Sequence, residues 1–127
     1  MADLPRPTDA ELAILRVLWR RGPSTVKDVH EELARITPTG YTTTLKQLQI
    51  MAEKGLVTRD ESLRAHLYTA RVPAEQTQTQ LVRDLLDRAF DGSATRLVMR
   101  ALSSRPAMPE ELEEIRKLLD QLEGETK

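Results

Sequence analysis

Apolar residues recur at helical spacing in six stretches of this chain, and the period changes to alternation only once, between the third and the fourth. After Pro5 and Pro7, Leu12, Leu15, Leu18 and Trp19 fall on one face, with Arg16 and Arg20 on another. Thr8-Asp-Ala-Glu11 precedes them with the spacing of a capping box, and Gly22-Pro23 ends the stretch. Thr25-Val-Lys-Asp28 repeats the capping logic with Asp in place of Glu, ahead of Val26, Val29, Leu33 and Ile36. The Thr37-Pro38-Thr39-Gly40 cluster breaks this second helix. A third is predicted from about Gly40 to Lys54, with Thr39 as its cap. Tyr41, Leu45, Leu48 and Ala52 share a narrow arc with Met51 at its edge; Thr43, Lys46, Gln47, Ile50 and Lys54 lie opposite, and Thr42 on the flank.

Gly55 stops the third helix, and Leu56-Val-Thr-Arg59 and Ala65-His-Leu-Tyr-Thr69 then read as short strands around the polar connector 60–64. Three short helices followed by a strand pair form the ground plan of a winged helix-turn-helix, whose third helix can enter a DNA major groove. The front of that helix suits the task. Thr and Gln can bond base edges or phosphates, and Lys46 can reach guanine or the backbone. Thr42, Thr43, Lys46 and Gln47 are therefore the candidate groove contacts, with Arg64, seconded by Arg59, on the wing. A polar stripe is also what any solvated helix shows. Three consecutive threonines, however, are poor helix formers and need another reason to be there.

Val72-Pro73 marks a boundary, giving a winged-helix part at 1–71 and a helical part at 72–127. The second part carries three apolar-striped patterns, at about 74–90, 93–103 and 109–123. In the last, Leu112, Ile115, Leu119 and Leu122 are spaced three, four and three apart. A strand-free segment this short cannot easily bury its own apolar surface. A homodimer is the expected solution, with Leu85, Phe90, Leu97, Leu112, Ile115, Leu119 and Leu122 as the dimerisation residues. The fold class expected is mainly α: a winged helix-turn-helix of three helices and a two- to three-stranded β wing, followed by a three-helix dimerisation tail.

Composition narrows the chemistry. The chain has no cysteine, and His30 and His66 match no metal-ligand spacing. His30 reads as a solvated residue on helix 2, and His66 as a strand residue near the wing. No glycine-rich phosphate loop or nucleophile–base set is visible, so neither catalysis nor a cofactor is expected. No long apolar run and no signal-peptide pattern occur, which predicts a soluble, cytoplasmic protein without membrane insertion. The net charge of −1 does not by itself suggest nucleic-acid binding. Its distribution leans that way, since residues 1–71 carry 11 Lys/Arg and 9 Asp/Glu, and the remainder 8 and 11. A winged-helix protein-interaction module is the rival reading, and a small-molecule sensor with an aliphatic pocket a weaker one.

Ordered over residues 8 to 123, several motifs resemble the penicillinase-repressor family (BlaI/MecI/CopY). They are Thr8-Asp-Ala-Glu-Leu, Val17-Leu-Trp19, Arg21-Gly-Pro-Ser-Thr-Val, Gly40-Tyr-Thr-Thr-Thr-Leu, Glu53-Lys-Gly-Leu-Val, Arg64-Ala-His-Leu-Tyr68 and Pro109-Glu-Glu-Leu-Glu-Glu-Ile. The resemblance implies a dimeric winged-helix repressor of palindromic operators, with its first 71 residues on double-stranded DNA. It also implies inactivation by proteolysis in the dimerisation part, under a membrane-embedded zinc metallopeptidase sensor acting indirectly. This chain departs from the family pattern in places. Ile50 stands where Arg is common, and Met108 where a capping Ser is common. Arg100-Ala101 lies near the position of the Asn-Phe pair cleaved in the staphylococcal branch, and the C-terminal cysteines of the copper-responsive branch are missing.

Overall fold

Two threonines decide where the first two helices begin. The computed structural model describes residues 5–125. Helix α1 (Asp9–Arg21) starts behind Thr8, whose hydroxyl accepts from the Glu11 N–H at 3.2 Å while Glu11 Oε1 accepts from the Thr8 N–H at 2.9 Å. Helix α2 (Val26–Ala34) repeats the arrangement between Thr25 and Asp28, both bonds at 3.1 Å. Each box satisfies two backbone donors that a helix start leaves open. The Thr25 N–H and hydroxyl, opposing a smaller cost of burial, hold the Asp28 carboxyl below its ordinary range, with Arg21 adding to this.

Helix α3 (Tyr41–Lys54) departs from the sequence expectation in its cap and its rotation. Gly40, not Thr39, is the N-cap, and no side chain caps it. The buried side is Thr44, Leu48 and Met51, with Leu45 and Ala52 partly buried beside them. Tyr41 is instead half exposed, its ring edge-on to His30 with centroids 5.8 Å apart. Counting apolar letters misplaces the wheel because Thr44, only 1% exposed, can go inward. Its hydroxyl donates to the Gly40 carbonyl at 3.4 Å, so the buried polar group is satisfied. His30, expected in water, is half-buried by the same contact. Ile36 does not extend the apolar side of α2: that helix ends at Ala34 and Ile36 is 77% exposed.

Gly55 closes α3 in the left-handed region (φ 84°), and the Leu56 N–H returns to the Met51 carbonyl at 2.9 Å. Strands β1 (Val57–Asp60) and β2 (Leu67–Ala70) pair antiparallel, with Val57 opposite Ala70 and Asp60 opposite Leu67. Ala65 and His66 therefore lie in the connector and not in a strand. Ser24 forms an isolated antiparallel bridge to Tyr68, through bonds of 3.0 and 2.8 Å, adding a short third rung to the wing.

The core joins Ile14, Leu15, Val17 and Leu18 of α1 to Val26 and Val29 of α2, Leu48 and Met51 of α3, and Leu56, Val57 and Tyr68. Except for Tyr68 the fully buried cluster is aliphatic or Met. Trp19 packs at its edge and donates its indole N–H to the Val72 carbonyl at 2.9 Å, fastening the chain just before Pro73. Helices α4 (Ala74–Ala89), α5 (Ala94–Ser104) and α6 (Pro109–Glu125) follow. By packing the chain divides into two units, Met1–Val82 and Arg83–Lys127, so the start of α4 belongs with the winged helix. In the second unit Ser93 caps α5, accepting from the Arg96 N–H at 3.2 Å. At α6 the Met108 N–H donates to Glu111 Oε1 at 3.1 Å, half a capping box whose other half a Met side chain cannot supply. The architecture is mainly helical, a winged helix-turn-helix with a small β wing and a helical tail.

Candidate nucleic-acid interface

Burying Thr44, Leu48 and Met51 turns a defined side of α3 outward. Thr42, Lys46, Gln49 and Glu53 are exposed along it at spacings of four, three and four, with exposed Thr43 and half-buried Ile50 at one margin. Gln47 is half-buried on the flank. Among the described residues the side chains of Thr42, Thr43, Lys46 and Gln49 make no hydrogen bond or ion pair within the protein, so their polar groups can meet a ligand.

Lys54 does not belong to this surface, although periodicity placed it there. Its Nζ donates to Glu11 Oε2 at 2.8 Å, tying the end of α3 to the start of α1. Burial works against charge on Glu11, which is 1% exposed. Lys54 and the Thr8 N–H and hydroxyl outweigh that effect and hold the carboxyl below its ordinary range.

The wing is ordered at its root. Asp60 Oδ1 accepts from the Ser62 N–H at 2.9 Å; the Ser62 hydroxyl first, and this backbone bond second, lower the Asp60 carboxyl below its usual range. Arg59 is paired with Glu61 at 2.7 Å, so one of the two wing cations is already engaged. Arg64 lies exposed in the connector with no such partner among the described residues. Between α3 and the wing runs an open cleft of about 630 Å³, lined by Gln49, Ala52, Glu53, Val57, Thr58, Arg59, Glu61 and Arg71. Gln49 is the residue of this face that sequence reasoning missed. Periodicity centred on Tyr41 put the other glutamine of the pair, Gln47, at the front.

Among the described residues no group of His, Asp and Glu is arranged to hold a metal ion, and no helix is long and apolar enough to cross a membrane. Around Glu32, Arg20 approaches to 3.1 Å and Arg21 and Arg35 to 3.7 Å, a surface network joining α1 to α2.

A sequence profile of the penicillinase repressor family matches residues 7–121. The chain belongs to this family. The penicillinase-repressor assignment is reinforced by the transcriptional regulator BlaI of Mycobacterium tuberculosis, 33% identical over 125 residues covering 98% of this chain and 90% of the relative. The penicillinase repressor of Bacillus licheniformis is 22% identical over 121 residues, covering 95% and 94%. The solution structure of monomeric Bacillus licheniformis BlaI in complex with the blaP half-operator superposes with a TM-score of 0.52 at 24% identity, covering 60% of this chain and 93% of that one. That likeness supports the winged-helix fold. Penicillinase-repressor proteins are transcriptional regulators and not enzymes, and this chain is one of them.

Proposed function

We propose that the protein is a transcriptional repressor that binds a palindromic DNA operator as a homodimer. The observation that carries the reading is the outward side of α3, whose Thr42, Thr43 and Lys46 are exposed, unpartnered and set in helix-turn-helix geometry. Each subunit lays α3 in a major groove, two grooves about 34 Å apart, and Arg64 brings the wing to the flanking backbone. Gln47, half-buried, serves at most at the margin of that contact.

Dimerisation is assigned to the helical part at 72–127, and within it to the unit from Arg83 onward, with 1–71 on DNA. Neither α5 nor α6 contains a buried residue, while Leu85, Leu119 and Leu122 are about half exposed and Phe90, Leu97, Leu112 and Ile115 are only half-buried. An apolar stripe left open over two whole helices supports pairing with a second copy. Few cations are available per subunit, so engaging two half-sites together is what gives useful affinity. Release by proteolysis in the dimerisation part, governed indirectly by a membrane-embedded zinc metallopeptidase, belongs to the same reading and rests on family membership.

Fluorescence anisotropy with duplexes carrying inverted repeats, at several salt concentrations, tests the proposal. Sequence-selective binding that weakens steeply with salt is expected, and Lys46→Ala should weaken it by about 1–3 kcal/mol without loss of fold. Absence of any binding at low salt would favour a protein-docking role for the winged helix instead.

A further inference from the structure

We propose that Gln49 reads a base pair in the operator, and that its amide selects adenine. The assignment rests on the operator-binding reading and adds a specificity-determining residue to it.

The chain offers two glutamines on α3, and helix geometry separates Gln47 from Gln49 by about 200° around the axis. Only one of them can share a groove with Lys46. Gln47 is half-buried on the flank, next to the fully buried Leu48. Gln49 is exposed and stands in the outward stripe between Lys46 and Glu53. It also lines the open cleft toward Thr58 and Arg59 of the wing, so it faces the side where helix and wing must meet the duplex together.

The chemistry then narrows the base. Lysine only donates, and in a groove it takes guanine O6 or N7 or a phosphate. A glutamine amide presents a donor and an acceptor side by side, which matches adenine N7 and N6–H. The Gln49 amide makes no hydrogen bond within the protein among the described residues, so no internal contact is broken when it turns to DNA. Glu53, one turn further on, lies with Glu61 at the same cleft. Arg59 and Arg71 line it as well, and Glu61 is paired with Arg59, so the cleft is close to neutral and does not push the duplex away.

Selection of binding sites from randomised duplexes by the full-length protein, followed by anisotropy on single-base variants, tests the assignment. Wild type should prefer A·T at one position of each half-site by roughly 5- to 150-fold, the range of a good bidentate contact. Gln49→Ala should flatten the preference at that position and leave the others, and Gln49→Glu should move it toward cytosine, whose amino group a carboxylate accepts from. A selective wild type whose preferences are untouched in Gln49→Ala overturns the assignment alone, as does a loss seen in Gln47→Ala and not in Gln49→Ala. A wild type with no sequence preference overturns both this assignment and the repressor reading beneath it. Unchanged circular dichroism and thermal midpoint separate lost contact from lost fold.

Discussion

Replacing Lys54 with Met separates what holds this fold together from what touches DNA. Methionine keeps most of the aliphatic stem and removes the ammonium that lies 2.8 Å from Glu11 Oε2. Stranding a carboxylate whose partner was deeply buried costs about 3–5 kcal/mol. Lys54 keeps 39% of its side chain in water, so solvent already screens the pair and the figure falls to about 1–2 kcal/mol. The pH dependence identifies the cause. In the wild type the Glu11 carboxyl titrates below its unfolded-state value, so its contribution is complete above about pH 4.3 and disappears as pH falls through the lower folded-state value. Without the ammonium, burial is opposed by Thr8 alone, and the ionised form gains less on folding. The stability gap between wild type and Lys54→Met should therefore be widest near neutrality and close on acidification as Glu11 protonates. Urea unfolding at pH 7, 5 and 3, at matched protein concentration because the proposed dimerisation would add to apparent stability, measures it. The folded variant should bind operator as wild type does, unlike Lys46→Ala. A variant as stable as wild type at pH 7, a gap that does not change with pH, or a folded variant with impaired DNA binding would refute the reasoning.

Leu119→Asp places a charge in the half-exposed apolar stripe of α6 and should convert dimer to monomer in analytical ultracentrifugation, with operator affinity falling alongside. A dimer that persists would remove α6 from the proposed interface. Gly55→Ala should destabilise the winged helix by about 1–2 kcal/mol in thermal unfolding, because φ is 84° there. A new Cβ would also come within 2.9 Å of the Arg71 guanidinium, which must move aside. An unchanged midpoint would mean that the turn relaxes at no cost.

Local sequence rules carried much of this molecule because local contacts decide those features. Both capping boxes, the glycine stop at Gly55 and the Ser93 cap of α5 each depend on groups within a few residues, and each formed as read. Family membership was legible from ordered motifs along the chain. Packing decided the rest. The rotation of α3 turned on whether Thr44 could be buried with its hydroxyl bonded to Gly40, and an apolar count cannot weigh that. That rotation exposed Gln49 and withdrew Gln47 to the flank. Lys54 was taken by Glu11, a residue 43 positions away on another helix. Periodicity assigns each residue to a side of its own helix. Which side meets the core, and which charges are neutralised within the protein before any ligand arrives, depends on the neighbouring elements and is decided only when they pack.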